Sequence, residues 1–518
     1  MHLVDTCAGW MFGFLGLWIA LSGIDDLFVD LAAFHRWCTR RTRHSARAAL
    51  LSFNPPPRIA ILVPCWQESD VIAQMLEHNL SVVDYGHYEF FVGAYPNDPA
   101  TLLAVQAVQS TRARVHLAVC PHDGPTNKAD CLNWTMQHLM LHEDRCHTRF
   151  DIVVVHDAED MIHPSELRWL AAEMQDAEMV QVPVIALPTP WLNLTHGVYC
   201  DEFAESQAKD LPARVYLGGF LPSCGVGTGL TRDMIERIAK TGDNQIFQPG
   251  SLTEDYELGR RVQELGGRQR MLPVRWERGR LMATREYFPR EFWPAVKQRT
   301  RWITGIALQS WDMNGWSGNW VRRYCWWRDR KGLIGNPLTA LCNLCFFAGL
   351  LGWRAPIDHM PFASQPLIAI GIFLQSYRMT IRMSYSARIY GPLFALGAPV
   401  RVLWGNAINL IATTRAIHQF ARAKRRNEPL RWVKTAHAYP SRDALMGHQR
   451  PLGEILADLG YVTRDQVRRA LLEKPASIPL GEFLVRQGRL TDRQRWDALS
   501  MQQGRDATPA LAATAGSH

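Results

Sequence analysis

The sequence lacks a cysteine framework. Eleven cysteines are scattered over 518 residues without regular spacing, and the only CxxC, Cys342 and Cys345, lies inside an apolar run with no second pair. This argues against a disulfide-stapled scaffold or a zinc ribbon and for a reducing compartment. A secretory leader is also missing. Neither Lys nor Arg precedes the first apolar run, and no small-residue cleavage site is obvious. A basic surface interleaved with aromatics is absent outside the segments that flank apolar runs. The net charge of +8 therefore argues for a membrane surface rather than for nucleic acid. Nineteen tryptophans are present, which membrane-interface belts and sugar-stacking platforms would both use.

Several apolar segments follow one another. Residues 8–24 are nearly all apolar; Asp25 and Asp26 follow, then more apolar residues to Phe34. A spanning helix needs about 20 residues, so this is a short candidate span. Arg36, Arg40, Arg41, Arg43 and Arg47 come next, which places the N-terminus outside and the following domain in the cytoplasm. Residues 333–353 form a second apolar stretch and 360–375 a shorter third, together an expected out-and-back hairpin with Asp358 outside. Residues 391–413 are interrupted by Arg401, Asn406 and Asn409, and read as a helix in the cytoplasmic interface or as a further span.

Between a stiff linker (SFNPPP, 52–57) and residue 320, strand-like runs at 59–64, 89–95, 115–119 and 151–155 alternate with helical stretches such as 68–80 and 127–141. That alternation predicts a mainly parallel α/β sheet, with ligands at the C-terminal ends of the strands. VVVHDAED (153–160) runs from such a strand straight into carboxylates. Asp157 and Glu159, with Asp160 beside them, suit Mg²⁺ or Mn²⁺; an acidic loop after a strand is equally often solvated. Pro64 and Glu68 (ILVPCWQES) and Asp98 (YPNDPAT) fall at the same expected edge, as nucleotide contacts or as turn residues. Lys128 opens an expected helix, where a cation opposes the dipole unless it faces an anion such as phosphate. In SLTEDYELGRRVQELGG (251–267) Ser251 and Glu254 fit a capping box, and Leu258, Val262 and Leu265 share a face. Asp255 beside Glu254 is a dipole partner or a proton acceptor for a hydroxyl. QRTRW (298–302) is an aromatic, basic stretch that also suits an interface anchor.

In their order, Asp98, DAED (157–160), TED (253–255) and QRTRW (298–302) resemble the family 2 glycosyltransferases, in particular the processive, cellulose-synthase-like branch. The resemblance implies a GT-A type nucleotide-sugar transferase domain. Asp98 would contact the nucleotide, Asp157 and Glu159 would bind the metal, and Asp255 would be the general base, with Glu254 beside it. Gln298, Arg301 and Trp302 would hold the donor diphosphate and the acceptor sugar. Gly227, Thr228 and Gly229 of GVGTG (225–229) would line the acceptor site. Glu159 departs from the Asp that many relatives carry. The implied reaction is a single inverting displacement on a UDP-sugar.

Residues 451–472 align without gaps to 479–500. As a bare repeat this is a helical hairpin duplicated and packed on itself. It also resembles the MshEN type of cyclic-di-GMP receptor, with Leu452, Gly453, Leu456 and Gly460 in one copy and Leu480, Gly481, Leu484 and Gly488 in the other. Arg450 would meet a phosphate or guanine, though Pro451 separates it from the Leu-Gly pair. The whole arrangement is similar to the phage N4 adsorption protein B family. It implies a multi-pass bacterial inner-membrane synthase of a secreted glycan. The donor unit would be an N-acetylhexosamine such as N-acetylmannosamine, cyclic-di-GMP an allosteric activator, and the export partner a protein of the outer membrane. The expected parts are an anchor and basic linker (1–50), the transferase domain (55–320), a hairpin and interfacial helix (321–430), a small α-helical module (440–503) and a disordered tail (504–518). Two alternatives stand beside polymerisation: transfer of one sugar to a lipid carrier, and a membrane scaffold or phage-receptor subunit without catalysis.

Overall fold

The structure is a computed structural model that describes residues 2–40, 55–242, 244–277, 280–352, 364–428, 452–475 and 478–503. Arg450 and Asp358, the tail from 504 and most of the basic run after residue 40 lie outside the described residues.

The described residues form eleven strands: β1 (Ile59–Pro64), β2 (Tyr88–Ala94), β3 (Val115–Val119), β4 (Ile152–Val155), β5 (Met179–Gln181), β6 (Val184–Ala186), β7 (Thr228–Thr231), β8 (Gln269–Met271), β9 (Trp276–Glu277), β10 (Arg280–Leu281) and β11 (Thr284–Glu286). Seven form one sheet in the order β3-β2-β1-β4-β7-β5-β8. The sheet is mixed: β7 runs antiparallel to β4 and β5, and the other pairings are parallel. Period-two alternation divides the strand side chains between two cores. Ile59, Ile61, Val63 and Val154 pack on Ile72, Met75 and Leu76. Ala60, Leu62, Val153 and Val155 face Leu132, Met136, Ile238 and Val262 on the other side. Each large apolar side chain so buried contributes about 1.5–3 kcal/mol. Strands β1, β2 and β4 are buried on both faces, which is why they read as continuous apolar runs.

Helix His2–Arg40 does not stop at Asp25 and Asp26. Those carboxylates are held by Arg328 (2.9 Å), Lys331 (2.5 Å) and Arg378 (2.8 Å), so charge inside the helix is neutralised by its neighbours. The helix lies along Ser364–Tyr390, where a Cβ on Gly16 or Gly23 would stand 2.7 Å from Ile368 or Leu374; small residues permit this approach. Among the described residues two helices, within Thr6–Thr39 and Gly332–Leu350, are long and apolar enough to cross a bilayer. The described part of the expected second arm of the hairpin lies in the 27-residue helix Ser364–Tyr390, which carries Arg378 and Arg382 onward into ion pairs with Asp26 and Glu205.

The ambiguous segment 391–413 falls largely in helix Ala398–Arg426, which docks on the α/β domain. Two of its interrupting polar residues, Arg401 and Asn409, are docking groups. Arg401 is fully buried and donates to Asp201 at 2.7 and 3.0 Å, and Asn409 accepts from Arg299 at 2.8 Å. All eleven cysteines are free thiols.

The C-terminal repeat folds as four helices, Leu452–Asp458, Arg464–Glu473, Leu480–Arg486 and Asp492–Gln503, around a shared core. Leu456 and Leu484 are fully buried in that core, so they pack rather than face a ligand. A Cβ on Gly453 would stand 2.5 Å from Val467, and one on Gly481 would stand 3.0 Å from Leu452, so both glycines serve helix contact. Gly460 and Gly488 take positive φ (71° and 67°), the conformation in which helices commonly end.

Candidate active site

The C-terminal ends of β1 and β4, the start of helix Lys128–Cys146 and the start of helix Glu254–Glu264 converge on one cleft. Pro64 and Glu68 stand on one wall, and Asp157 and Glu159 on the floor. Lys128, Glu254 and Asp255 are opposite, and Gln298, Arg301 and Trp302 close the far side.

The acidic loop is braced from behind. His156 is fully buried, with Nδ1 2.8 Å from Asp160 Oδ2 and Nε2 2.9 Å from Glu166 Oε1. Burial alone would lower its pKa, but Glu166 and Asp160 raise it to about 10, so it stays an imidazolium. Asp160 Oδ2 also accepts from the Asp157 backbone N–H at 2.9 Å. Asp160, expected as a metal ligand, therefore turns away from the cleft and holds the loop in shape. Asp98 is likewise engaged in local structure and is not among the residues lining the cleft. It is the N-cap of helix Pro99–Gln109 and accepts from Gln67 N at 2.5 Å and Thr101 N at 3.4 Å, behind the cleft wall.

The positive charge among the carboxylates is Lys128. Its Nζ lies 2.6 Å from Asp157 Oδ1 and donates to Gly225 O at 3.0 Å. Burial would lower its pKa, but Asp157, Glu254 and Asp255 hold it above the ordinary lysine value. Asp255 Oδ2 lies on the same spot: a Cβ on Gly225 would stand 2.8 Å from it. Gly225 also has a φ of 80°, so the close approach and the turn both need glycine there. Burial raises the carboxyls of both Glu254, to about 7, and Asp255, with Lys128 opposing. The N-cap of this helix is Thr253; Ser251 Oγ accepts from Thr253 N at 3.2 Å, so the expected Ser251–Glu254 capping box does not form.

Of GVGTG, Gly225 and Val226 reach the cleft. Gly227, Thr228 and Gly229 do not: they lead into and form β7, where Thr228 Oγ1 donates to Gln181 Oε1 at 2.7 Å and Gly227 N to Val155 O at 2.8 Å.

Sequence reading missed Glu286. It ends β11, lines the cleft and stands half-buried against the same carboxylates. Burial, Asp160 and Asp157 push it well above the usual carboxylate range; burial, Glu286 and Asp157 do the same to Glu159. No motif marks Glu286, because β11 has only three residues. Trp66 and Tyr95 were missed too. Their rings meet edge to face at 5.4 Å at one end of the cleft. At the other end Phe203, Phe288 and Trp302 form an aromatic wall, with centroids 4.5 Å (Phe203–Phe288) and 6.3 Å (Phe203–Trp302) apart.

Three carboxylates, buried Glu159 and half-buried Asp157 and Glu286, share this floor with Lys128, and burial together with mutual repulsion raises Glu159 and Glu286. Such a set fits a hard divalent cation, which needs only one or two protein carboxylates when substrate phosphates complete its shell.

The α/β sheet with an acidic turn after β4 defines the class, a GT-A-like glycosyltransferase domain. "Glycosyltransferase like family 2" matches residues 56–305. The chain is 33% identical over 542 residues to "Bacteriophage adsorption protein B" of Escherichia coli K12, covering 97% of this chain and 72% of that protein. The figures for "Bacteriophage N4 adsorption protein B" of E. coli O157:H7 are the same. The chain belongs to the bacteriophage adsorption protein B family. Similar solved structures include the mannosyltransferase PcManGT from Pyrobaculum calidifontis in complex with GDP-Man and Mn²⁺ (16% identity, 76% of this chain and 99% of that one, TM-score 0.48). S. aureus TarS in complex with UDP-GlcNAc is another (12% identity, 74% and 98%, TM-score 0.32).

Proposed function

We propose that this protein is a membrane-bound, inverting glycosyltransferase that polymerises a sugar, an N-acetylhexosamine, from a UDP-sugar donor into a secreted glycan. The observation that carries the reading is the meeting of Asp157, Lys128 and Asp255 around Gly225, which brings a leaving-group site and a proton acceptor into one cleft.

Asp157 and Glu159, with Glu286 alongside, would hold a divalent cation, which would offset charge on a diphosphate. Lys128 and Arg301 supply fixed positive charge to the same group. Asp255 takes the proton of the acceptor hydroxyl as that oxygen attacks the anomeric carbon. Gln298 offers a buried Oε1 without a hydrogen-bond partner, ready for a sugar hydroxyl. Trp302 and the neighbouring aromatic rings give a face on which a pyranose stacks. The bond to the UDP oxygen breaks as the new glycosidic bond forms, so no covalent enzyme intermediate arises.

The two apolar helices anchor the protein in the bacterial inner membrane, with the transferase domain and the C-terminal module in the cytoplasm and an outer-membrane export partner beyond. The duplicated C-terminal module binds cyclic-di-GMP and favours the active arrangement of the transferase. Leu452 and Leu480, half-buried at equivalent positions, are the repeat leucines left within reach of a ligand.

The test is UDP release by purified full-length protein in detergent, across a panel of UDP-sugars, with Mg²⁺ or Mn²⁺ and with or without cyclic-di-GMP. Release from one donor that requires the metal and rises with the dinucleotide is expected, with a ladder of products. A single glycolipid product would replace polymerisation by transfer to a lipid carrier. No release from any donor would overturn the enzymatic reading, and indifference to the dinucleotide would remove its regulatory half.

A further inference from the structure

A second cluster of ligating side chains lies on the sheet away from the cleft. Glu89, at the start of β2, shares a sheet face with Phe91, two residues on, and with His116 of β3, which pairs with Phe91. The later turns of helix Lys128–Cys146 cover that face and bring His142 onto it. Both imidazoles turn Nε2 toward one carboxylate oxygen: His116 Nε2 lies 2.6 Å and His142 Nε2 3.6 Å from Glu89 Oε2. Their ring centroids are 4.4 Å apart. One ligand atom from each residue lies within 4.8 Å of the other two, and all three side chains are part-buried.

The surroundings leave this oxygen to the histidines. Arg58 occupies the other oxygen, donating to Glu89 Oε1 at 2.8 Å while its guanidinium stands over Phe150 at 5.1 Å. Phe91 stacks on His116 at 4.9 Å and meets His142 edge to face at 5.4 Å. Two imidazoles and one carboxylate oxygen against an aromatic wall suit a borderline transition metal and are a poor match to Mg²⁺ or Mn²⁺, which prefer all-oxygen shells.

We propose that Glu89, His116 and His142 form a zinc-class metal site, with water as the fourth ligand. Bond lengths of about 2.0–2.1 Å in a tetrahedral shell set ligand atoms about 3.4 Å apart. The 3.6 Å contact already has that spacing. The 2.6 Å contact is a hydrogen bond that must open by less than about 1 Å when the ion replaces its proton. The bound ion ties the edge strand β3 to β2 and to the C-terminal half of the helix whose first residue is Lys128. It is therefore a structural brace behind the transferase cleft rather than part of its chemistry.

The experiment is zinc titration of the full-length protein in detergent against a chromophoric chelator, with Co²⁺ absorption as the spectroscopic signature. Wild type and Asp157→Asn, which alters the cleft, should each bind one equivalent and show the intense bands of four-coordinate Co²⁺. His116→Gln and His142→Gln should bind at least 10-fold more weakly and lose those bands. A measurement free of variants accompanies it. Carbethoxylation of His116 and His142 in wild type, read by peptide mass, should be suppressed by Zn²⁺ and unaffected by Mg²⁺. Equal zinc binding in the histidine variants, or labelling of both histidines unchanged by Zn²⁺, would overturn the proposal.

Discussion

Lys128 and Asp255 meet at the carbonyl edge of a single glycine. The ammonium donates to Gly225 O at 3.0 Å, and the carboxylate stands where a Gly225 side chain would begin. Lys128 therefore serves two of the acids of the cleft, paired with Asp157 and close enough to Asp255 to oppose the upward shift that burial gives it. Removing either acid should show in activity before it shows in stability.

Asp255→Asn keeps the shape of the side chain and removes the proton acceptor. UDP release should fall about 10²- to 10⁴-fold, the range of general-base catalysis. The melting temperature should hold or rise, because a half-buried carboxylate whose ionised form burial disfavours is replaced by a neutral amide. A variant with more than a tenth of wild-type release would remove Asp255 from the chemistry.

Glu254 gives the pH prediction. Burial and Asp255 raise its folded-state value from the ordinary 4.5 to about 7. The folded protein keeps this proton while the unfolded chain has lost it. Stability from this group is full below about pH 4.5, declines as pH rises toward 7 and is flat above. The total is on the order of 3 kcal/mol, shared with the coupled Asp255. Glu254→Gln should flatten the melting-temperature profile between pH 5 and 7 and raise the melting point at pH 8; an unchanged profile would contradict the burial argument.

Glu286→Gln tests the residue that no motif announced. Removing one of the crowded carboxylates should weaken Mn²⁺ activation by about 10- to 100-fold, comparable with losses on removing groups that support metal ligands. Because its ionised form is disfavoured by burial and by its neighbours, stability at neutral pH should rise slightly. An unchanged half-saturating Mn²⁺ concentration would place Glu286 outside the metal's influence.

Asp201→Ala leaves Arg401 buried without its carboxylate partner. Breaking such a pair costs about 3–5 kcal/mol, read as a large fall in melting temperature. Replacing both with Leu and Met should recover much of it. A single variant as stable as wild type would show that helix Ala398–Arg426 docks by other contacts.

The parts legible in the sequence were those whose signal is long and local. β1 and β3 coincide with their apolar runs, and the helix after Asn127 begins where a capping residue precedes Lys128. The short strands β5 to β11 were not read, because two to four residues carry no periodicity. That is also why β7, with Thr228 inside it, read as a loop. The site was legible where its residues sit on motifs. The roles of Asp98 and Asp160 were not: an N-cap and a loop brace use the same oxygens as a ligand, and only Gln67, Thr101 and His156 show which way they point. In the repeat, leucine spacing could not separate a ligand cover from a core.

The π-helical stretch Ile303–Gln309 follows directly on Trp302. A Cβ on Gly305 would stand 2.4 Å from Thr253, while Gln309 accepts from Leu252 N at 3.0 Å and donates to Gly250 O at 2.6 Å. These contacts fasten the aromatic platform to the segment that leads into Asp255. In the polymerising reaction proposed above, a product sliding out along that platform would leave Asp255 in place, so advance by one unit would fall to the sugar chain itself, passing over a stationary anvil.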